Sequence, residues 1–462
     1  MSSFPSLSQS EQLDRLWRLS ATEQWLDLLE SELSQIGSEQ RSWRVAEFSV
    51  RLKDSLRYDD AIRLINRFFD PSNEHHHYQL GLCLSYGHRQ QEACQHLEQA
   101  FIVSGGSNYL IANDYIINLS QLGYIDKARE SLRHLRSVDV VDMDECERLL
   151  GMVELLNEYP PSQILSGLDH ALADRQWLSV DGFLERIKCS LLDGEGFAFF
   201  RLDDGEGANL PWSQKSLEHS SSLLNYNRDV FLGHWFGVDG ISPALESGWI
   251  EIQDSLAQAA GNVDLIGLNT PERYRHELSV NSARGIPAIL NTYLWTLLRD
   301  SPNSDQEICH AQMHFELGLV SDRFFDVVRC ASSLHLISSR QEFASLMHKV
   351  APSLPINFIP IPGERLRVSR AGDARVESEA STHFPDRYYQ VIDEISQTAA
   401  PGSLWLIGAG LLAKLYCMRI REMGGVALDL GSLIDIYSGV NSRGFQESMV
   451  ERIQSRVNLG IQ

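Results

Sequence analysis

The chain has 462 residues, 43% hydrophobic and 9% aromatic, which excludes wholesale disorder and implies two or three domains rather than one core. Its 40 basic and 62 acidic residues give a formal charge of −22 with no basic run to offset it, which argues against nucleic acid or an anionic membrane surface as a partner. Seven scattered cysteines form no Cys-x-x-Cys pair and read as buried small hydrophobes in a reducing compartment. The first ten residues lack the basic start and apolar stretch of a signal peptide. The longest apolar stretch, 404–418, is too short to span a bilayer and is interrupted by glycines and Lys414, so a cytoplasmic protein with no membrane span is expected.

Residues 1–158 are helical in pattern and carry a weak repeat. Segments starting at Trp25, Ala61, Ala93 and Ala128 each place Leu or Ile four positions on, at Leu29, Ile65, Leu97 and Leu132, with starts 32 to 36 residues apart. Turn signals precede three of them: Arg57-Tyr58, Tyr86-Gly87 and Leu122-Gly123-Tyr124. A small residue opening the second helix lets two helices pack closely. The pattern resembles degenerate tetratricopeptide repeats, beside the plainer reading of a helical bundle. Either way it predicts a surface for a protein partner or self-association, not chemistry. His75-His76-His77 reads as a polar connector between repeats.

Pro160-Pro161 marks a boundary, with a linker over 159–174 and an α/β domain over 175–462. Beyond it, short apolar strands (197–202, 263–268, 334–338, 356–361, 404–407, 426–430) alternate with helices (285–299, 322–331, 388–398). This pattern predicts a mainly parallel, Rossmann-like sheet with ligands at the carboxyl ends of its strands. The polar stretch 365–382 reads as a surface loop and a candidate lid. Asn269 and Arg273 follow one strand as candidates for base, ribose or phosphate. Pro360 to Glu364 ends another strand at the mouth of a pocket. His310 and His314, four apart, fall on one helix face without the glutamate of a zinc protease, and a satisfied buried histidine is the default reading.

Two constellations carry the chemistry. Arg201-Leu202-Asp203-Asp204-Gly205-Glu206 ends the first strand, and with only Gly205 between them Asp204 and Glu206 can converge on one divalent cation. Asp193-Gly194-Glu195, at the strand's entrance, reads as a helix-to-strand turn. Near the C-terminus a strand enters Gly408-Ala409-Gly410, a helix follows, and a second strand ends at Asp429, giving a helix N-terminus suited to an anion. Ser432, Asp435 and Arg443 follow in a loop suited to phosphate or sugar. Gly408, Gly410 and Asp429 also fit a dinucleotide fingerprint, so an NAD-type oxidoreductase is an alternative, although no further βαβ half follows it.

The segment from Arg201 to Glu206 resembles the Arg-Phe-Gly-Asp-Gly-Glu signature of GT-D-type glycosyltransferases, a family once catalogued as a domain of unknown function. The stretch from Leu406 through Gly408, Gly410 and Asp429 to Ser432 and Asp435 is similar to that family's C-terminal strand-turn-helix-strand. The resemblance covers about 175–450, and Leu202-Asp203 stands where the family has Phe-Gly. It implies a GT-D-like fold and transfer of a sugar from a nucleotide diphosphate, of the uridine type, to a hydroxyl of a glycan or glycoprotein. It implies that Asp204 and Glu206 hold a divalent metal, manganese or else magnesium, and that Arg201 orients the loop or pairs with phosphate. With such a metal the departing charge is neutralised. The base is open among the strand-end acids Asp264, Glu272, Asp429 and Asp435, with Asp429 and Asp435 preferred. A catalytically inactive assembly protein acting through its repeats is the remaining alternative.

Overall fold

The computed structural model describes residues 25–35, 37–138, 142–210, 242–297, 306–363, 382–442 and 446–461, with isolated positions at 228, 232–233, 236 and 238. The chain divides into two compact units, Met1–Pro161 with Arg275–Ala283, and Ser162–Tyr274 with Arg284–Gln462. The candidate lid, Arg443 and the first ten residues lie outside the described residues, apart from Thr382 at the end of the lid. Among the described residues no helix is long and apolar enough to cross a membrane.

The first unit is built from helix hairpins. Ser38–Asp54 pairs with Tyr58–Arg67, Glu74–Tyr86 with Gln90–Val103, and Tyr109–Gln121 with Ile125–Ser137. Their turns are alike: Leu56, His88 and Gly123 take left-handed φ values of 61°, 59° and 79°. The next amide in each case, of Arg57, Arg89 and Tyr124, donates to the carbonyl five residues back at 2.9 Å. A left-handed φ costs a non-glycine residue roughly 1 kcal/mol, so its recurrence at Leu56 and His88 reflects the packing of the hairpins, not local preference. The eight repeat positions from Trp25 to Leu132 are all buried. Close approach within a hairpin is visible at Gly81, where a Cβ atom would stand 2.9 Å from the Leu97 side chain.

Three expectations for this region change. The histidine run is no connector: it opens helix Glu74–Tyr86, with the Asn73 side chain capping the His75 and His76 amides and with His76 and His77 buried. The linker contains a helix, Pro161–Leu172. Residues Arg275–Ala283, read as part of the α/β domain, belong to the helical unit. There the Ser85 hydroxyl donates to the Ser279 carbonyl, and Gln121 Nε2 donates to the Leu278 carbonyl at 2.8 Å.

The second unit is an α/β domain. Its strands are β1 (Phe197–Arg201), β2 (Leu265–Leu268), β3 (Glu307–His310), β4 (Ser333–Ser338), β5 (Ile356–Pro360), β6 (Ser403–Gly408) and β7 (Val426–Asp429). They form one seven-stranded sheet in the order β3-β2-β1-β7-β6-β4-β5, parallel throughout. Both faces are covered, so the strands read as apolar runs. Phe197 and Phe199 enter one core while Ala198 and Phe200 enter the other.

Strand β3 escapes the sequence pattern because it is a short edge strand with exposed ends, Glu307 and His310. His310 and His314 therefore do not share a helix face: the first ends β3 and the second lies in helix Met313–Leu319. The sheet's switch point lies between β1 and β7. From β1 the chain builds outward through β2 and β3, while β4 to β7 fill the other side and the last strand returns beside the first.

Candidate functional site

A cavity of about 270 Å³ opens at the carboxyl ends of the strands. Every strand supplies part of its wall. Arg201, Asp203, Gly205 and Glu206 come from the end of β1, Arg273 follows β2, Gln312 follows β3, and Ser338 and Arg340 lie at the end of β4. Pro362 and Gly363 follow β5, Gly408 and Gly410 lie at the end of β6, and Gly431, Ser432 and Asp435 follow β7. The pairing of β7 with β1 thus brings together two motifs two hundred residues apart.

Arg201, the last residue of β1, lies in a slot between two glycines. A Cβ atom on Gly267 would stand 3.0 Å from Arg201 Cβ, and one on Gly431 would stand 2.4 Å from Arg201 Nη2. Gly431 is also left-handed, with φ +49°, so a side chain there is excluded on two grounds. The guanidinium lies 3.6 Å from Asp203 and 3.8 Å from Asp429.

The loop after β1 forms one helical turn, Asp204–Gly207. Glu206 caps it from within, since its Oε2 accepts the Asp203 amide at 3.2 Å, half of a capping box. Helix Gly285–Thr296 clamps the turn: Asn291 Nδ2 donates to the Gly207 and Leu210 carbonyls at 2.9 and 2.7 Å, and a Cβ atom on Gly207 would stand 2.2 Å from the Ala288 carbonyl oxygen. Asp203, the extra acid, accepts from Asn269 Nδ2 at 3.1 Å. Asn269 thus braces the loop and is not part of the cavity wall.

The central finding is a buried ion cluster. Lys414, in the first turn of helix Ala413–Glu422, places Nζ 2.5 Å from Glu206 Oε1 and 2.7 Å from Asp429 Oδ2. It also donates to the Gly410 carbonyl at 3.1 Å. The Lys414 and Asp429 side chains are fully inaccessible and Glu206 is nearly so. Burial alone raises the Glu206 carboxyl pKa, but the Lys414 and Arg201 charges outweigh it and hold the group below its ordinary value. Burial likewise lowers the Lys414 pKa, and Asp429 and Glu206 outweigh it, so the ammonium is held above its ordinary value. The Oδ1 atom of Asp429 is buried and has no hydrogen-bond partner among the described residues.

The other expected residues separate clearly. Arg201, Gly205, Glu206, Arg273, Gly408, Gly410, Ser432 and Asp435 line the cavity. Asp429 lies behind the wall. Asp435 accepts from Arg340 Nε at 2.8 Å and from Ser442 Oγ at 2.5 Å. Asp264 is at the wrong end of the sheet for a base: it precedes β2, accepts the Ala198 amide and pairs with Arg421. Glu272 is exposed in helix Pro271–Ser279, and Asp193 ends helix Val180–Asp193 ahead of the left-handed Gly194. Arg443 and the side chain of Asp204 lie outside the described residues.

Sequence reasoning missed Lys414, Arg340, Gln312 and His383. The signal for Lys414 was present as a lone cation in the apolar stretch after Gly410. His383 lines the cavity and meets the Tyr416 hydroxyl at 3.0 Å; burial and the Arg387 charge lower its pKa to about 3, which keeps the ring neutral. Among the described residues no group of three or more His, Cys, Asp or Glu side chains is arranged to hold a metal ion. Compared with protein-family models and with curated proteins, the chain shows no match.

Proposed function

We propose that the α/β unit is a GT-D-like glycosyltransferase that moves a sugar from a nucleotide diphosphate, of the uridine type, to a hydroxyl of a glycan or glycoprotein acceptor. The observation that carries this reading is the convergence of the Asp-x-Glu loop and the Gly408–Gly410 turn on one crevice walled by Arg201, Arg273 and Arg340. Arginines and the amides of a glycine turn are the groups that grip a diphosphate. In the reaction the bond between the sugar C1 and the diphosphate oxygen breaks, and its electron pair leaves with the diphosphate. The acceptor oxygen bonds C1 and loses its proton to a carboxylate. Of the two preferred acids, Asp435 faces the cavity, held by Arg340 and Ser442, and is the candidate for that role, whereas Asp429 is enclosed.

Of the pair Asp204 and Glu206, expected to hold a metal, only the Glu206 side chain lies among the described groups, and it is paired with a lysine of the protein. Both Glu206 oxygens are engaged, one by Lys414 and one by the Asp203 amide. The dinucleotide reading loses support for a related reason: Asp429, which would accept the ribose hydroxyl, is enclosed and bonded to Lys414. The repeated hairpins act, in this reading, as a tetratricopeptide-like surface that docks the acceptor, a partner enzyme or a second copy of the chain in the cytoplasm.

The test is release of nucleoside diphosphate from a panel of nucleotide sugars. Release from a uridine donor, lost in Gly431→Ala, is expected. Tight NADH binding without any release would point to an oxidoreductase, and neither activity would point to an assembly protein.

A further inference from the structure

The position between the carboxylates is filled by a side chain of the protein itself. The Lys414 ammonium spends its three protons on Glu206, Asp429 and the Gly410 carbonyl. Two carboxylates and a backbone carbonyl around one positive charge are oxygen ligands of the kind a hard divalent cation takes, though only part of its shell. The placement has two general costs. A lysine in the first turn of a helix opposes the helix dipole. A buried ammonium is unfavourable unless it is fully paired. Among the described residues, the charges of Glu206 and Asp429 and the Gly410 carbonyl, to all of which the ammonium is bonded, offset these costs.

We propose that Lys414 is the resident cation of this site: it stands where a divalent metal would be held, so that the cavity takes a nucleoside diphosphate without metal. Lys414 does not line the cavity, so it is a positioning residue. It fixes Glu206, whose other oxygen holds the Asp203 amide and with it the loop that carries Gly205 into the wall. It also neutralises Glu206 in the wall and Asp429 behind it, which would otherwise repel an anion. The identity of the ligand rests on the glycosyltransferase reading; the exclusion of metal from Glu206 and Asp429 does not.

The test uses the full chain and Mn²⁺, with uptake followed by the electron paramagnetic resonance signal of the free ion, alone and with uridine diphosphate. The wild type is expected to show the same Mn²⁺ isotherm as Glu206→Gln. Its affinity for uridine diphosphate is expected to agree within about twofold in EDTA and in Mn²⁺. Lys414→Ala is expected to gain a Mn²⁺ site that a second change, Glu206→Gln, removes, whereas Lys414→Arg remains metal-free. Saturable Mn²⁺ uptake by the wild type that Glu206→Gln abolishes would overturn the proposal. So would a loss of uridine diphosphate binding in EDTA of about tenfold or more. If Lys414→Ala fails to fold, the two wild-type arms decide. If uridine diphosphate binds in neither buffer, the glycosyltransferase reading fails, and the Mn²⁺ arm still decides whether Lys414 fills the site.

Discussion

The two ends of the parallel sheet hold ion pairs of the same chemical kind in opposite settings. At the amino ends, Asp264 accepts the Ala198 amide and pairs with Arg421 at 2.7 Å, and both side chains keep contact with solvent. At the carboxyl ends, Lys414 is locked between Glu206 and Asp429 with no solvent contact. The first arrangement staples a strand entrance and is screened by water. The second encloses three charges beside a cavity, where each depends on the others. The first is explained by local structure, whereas the second adjoins the cavity that the proposed function uses.

The largest effect is expected at Lys414. Lys414→Ala leaves two enclosed carboxylates with only the more distant Arg201 as counter-charge and is expected to destabilise the α/β unit by about 3–5 kcal/mol. Chemical denaturation followed by circular dichroism measures it, and a loss below about 1 kcal/mol would mean that the cluster is hydrated. Next comes Gly431→Ala, which drives a side chain into the Arg201 guanidinium at a left-handed position. It is expected to weaken nucleotide binding by about tenfold or more, equivalent to roughly 1.4 kcal/mol, in a calorimetric titration.

Acid sharpens the contrast. The Glu206 carboxyl is held below its ordinary value of 4.5, so its contribution is complete above that pH and is lost as the pH falls through the lower folded-state value. Lys414 is held above its ordinary 10.5, so its contribution is present below that pH and is lost only as the pH rises through the folded-state value. Melting temperatures measured from pH 6 downward are expected to fall less steeply for Glu206→Gln than for the wild type. At the amino ends, Arg421→Ala is expected to cost about 1 kcal/mol or less and to leave nucleotide affinity unchanged. The smallest effect lies in the helical unit. His88→Gly relieves a left-handed side chain and is expected to stabilise that unit by up to about 1 kcal/mol in the same denaturation experiment.

Much of this was legible in the chain. The repeat positions Ala61, Ala93 and Ala128 are buried because a small residue at a helix crossing leaves a plain periodic mark. The apolar runs of β1, β6 and β7 are visible because both faces of a parallel sheet are covered. Strand β3 left no such mark, being four residues long with polar ends. Strand order is hidden from local pattern, so the pairing that sets Asp429 and Gly431 beside Arg201 could not be derived from either motif alone. The metal expectation treated the Asp-x-Glu pair by itself. Lys414, 208 residues beyond Glu206, bonds one oxygen of that pair, and spacing along the chain carries no trace of it. Asp264 was misplaced by a simpler error: it precedes its strand instead of ending it.

In the proposed function the crevice between β1 and β7 holds a nucleotide sugar against Arg201. The most direct measurement is calorimetric titration of the full chain with a uridine nucleotide sugar, for the wild type and for Arg201→Ala. Saturable binding by the wild type that Arg201→Ala weakens by about tenfold or more is the predicted result. Equal affinity in both proteins, or no binding of any nucleotide sugar by the wild type, would contradict it.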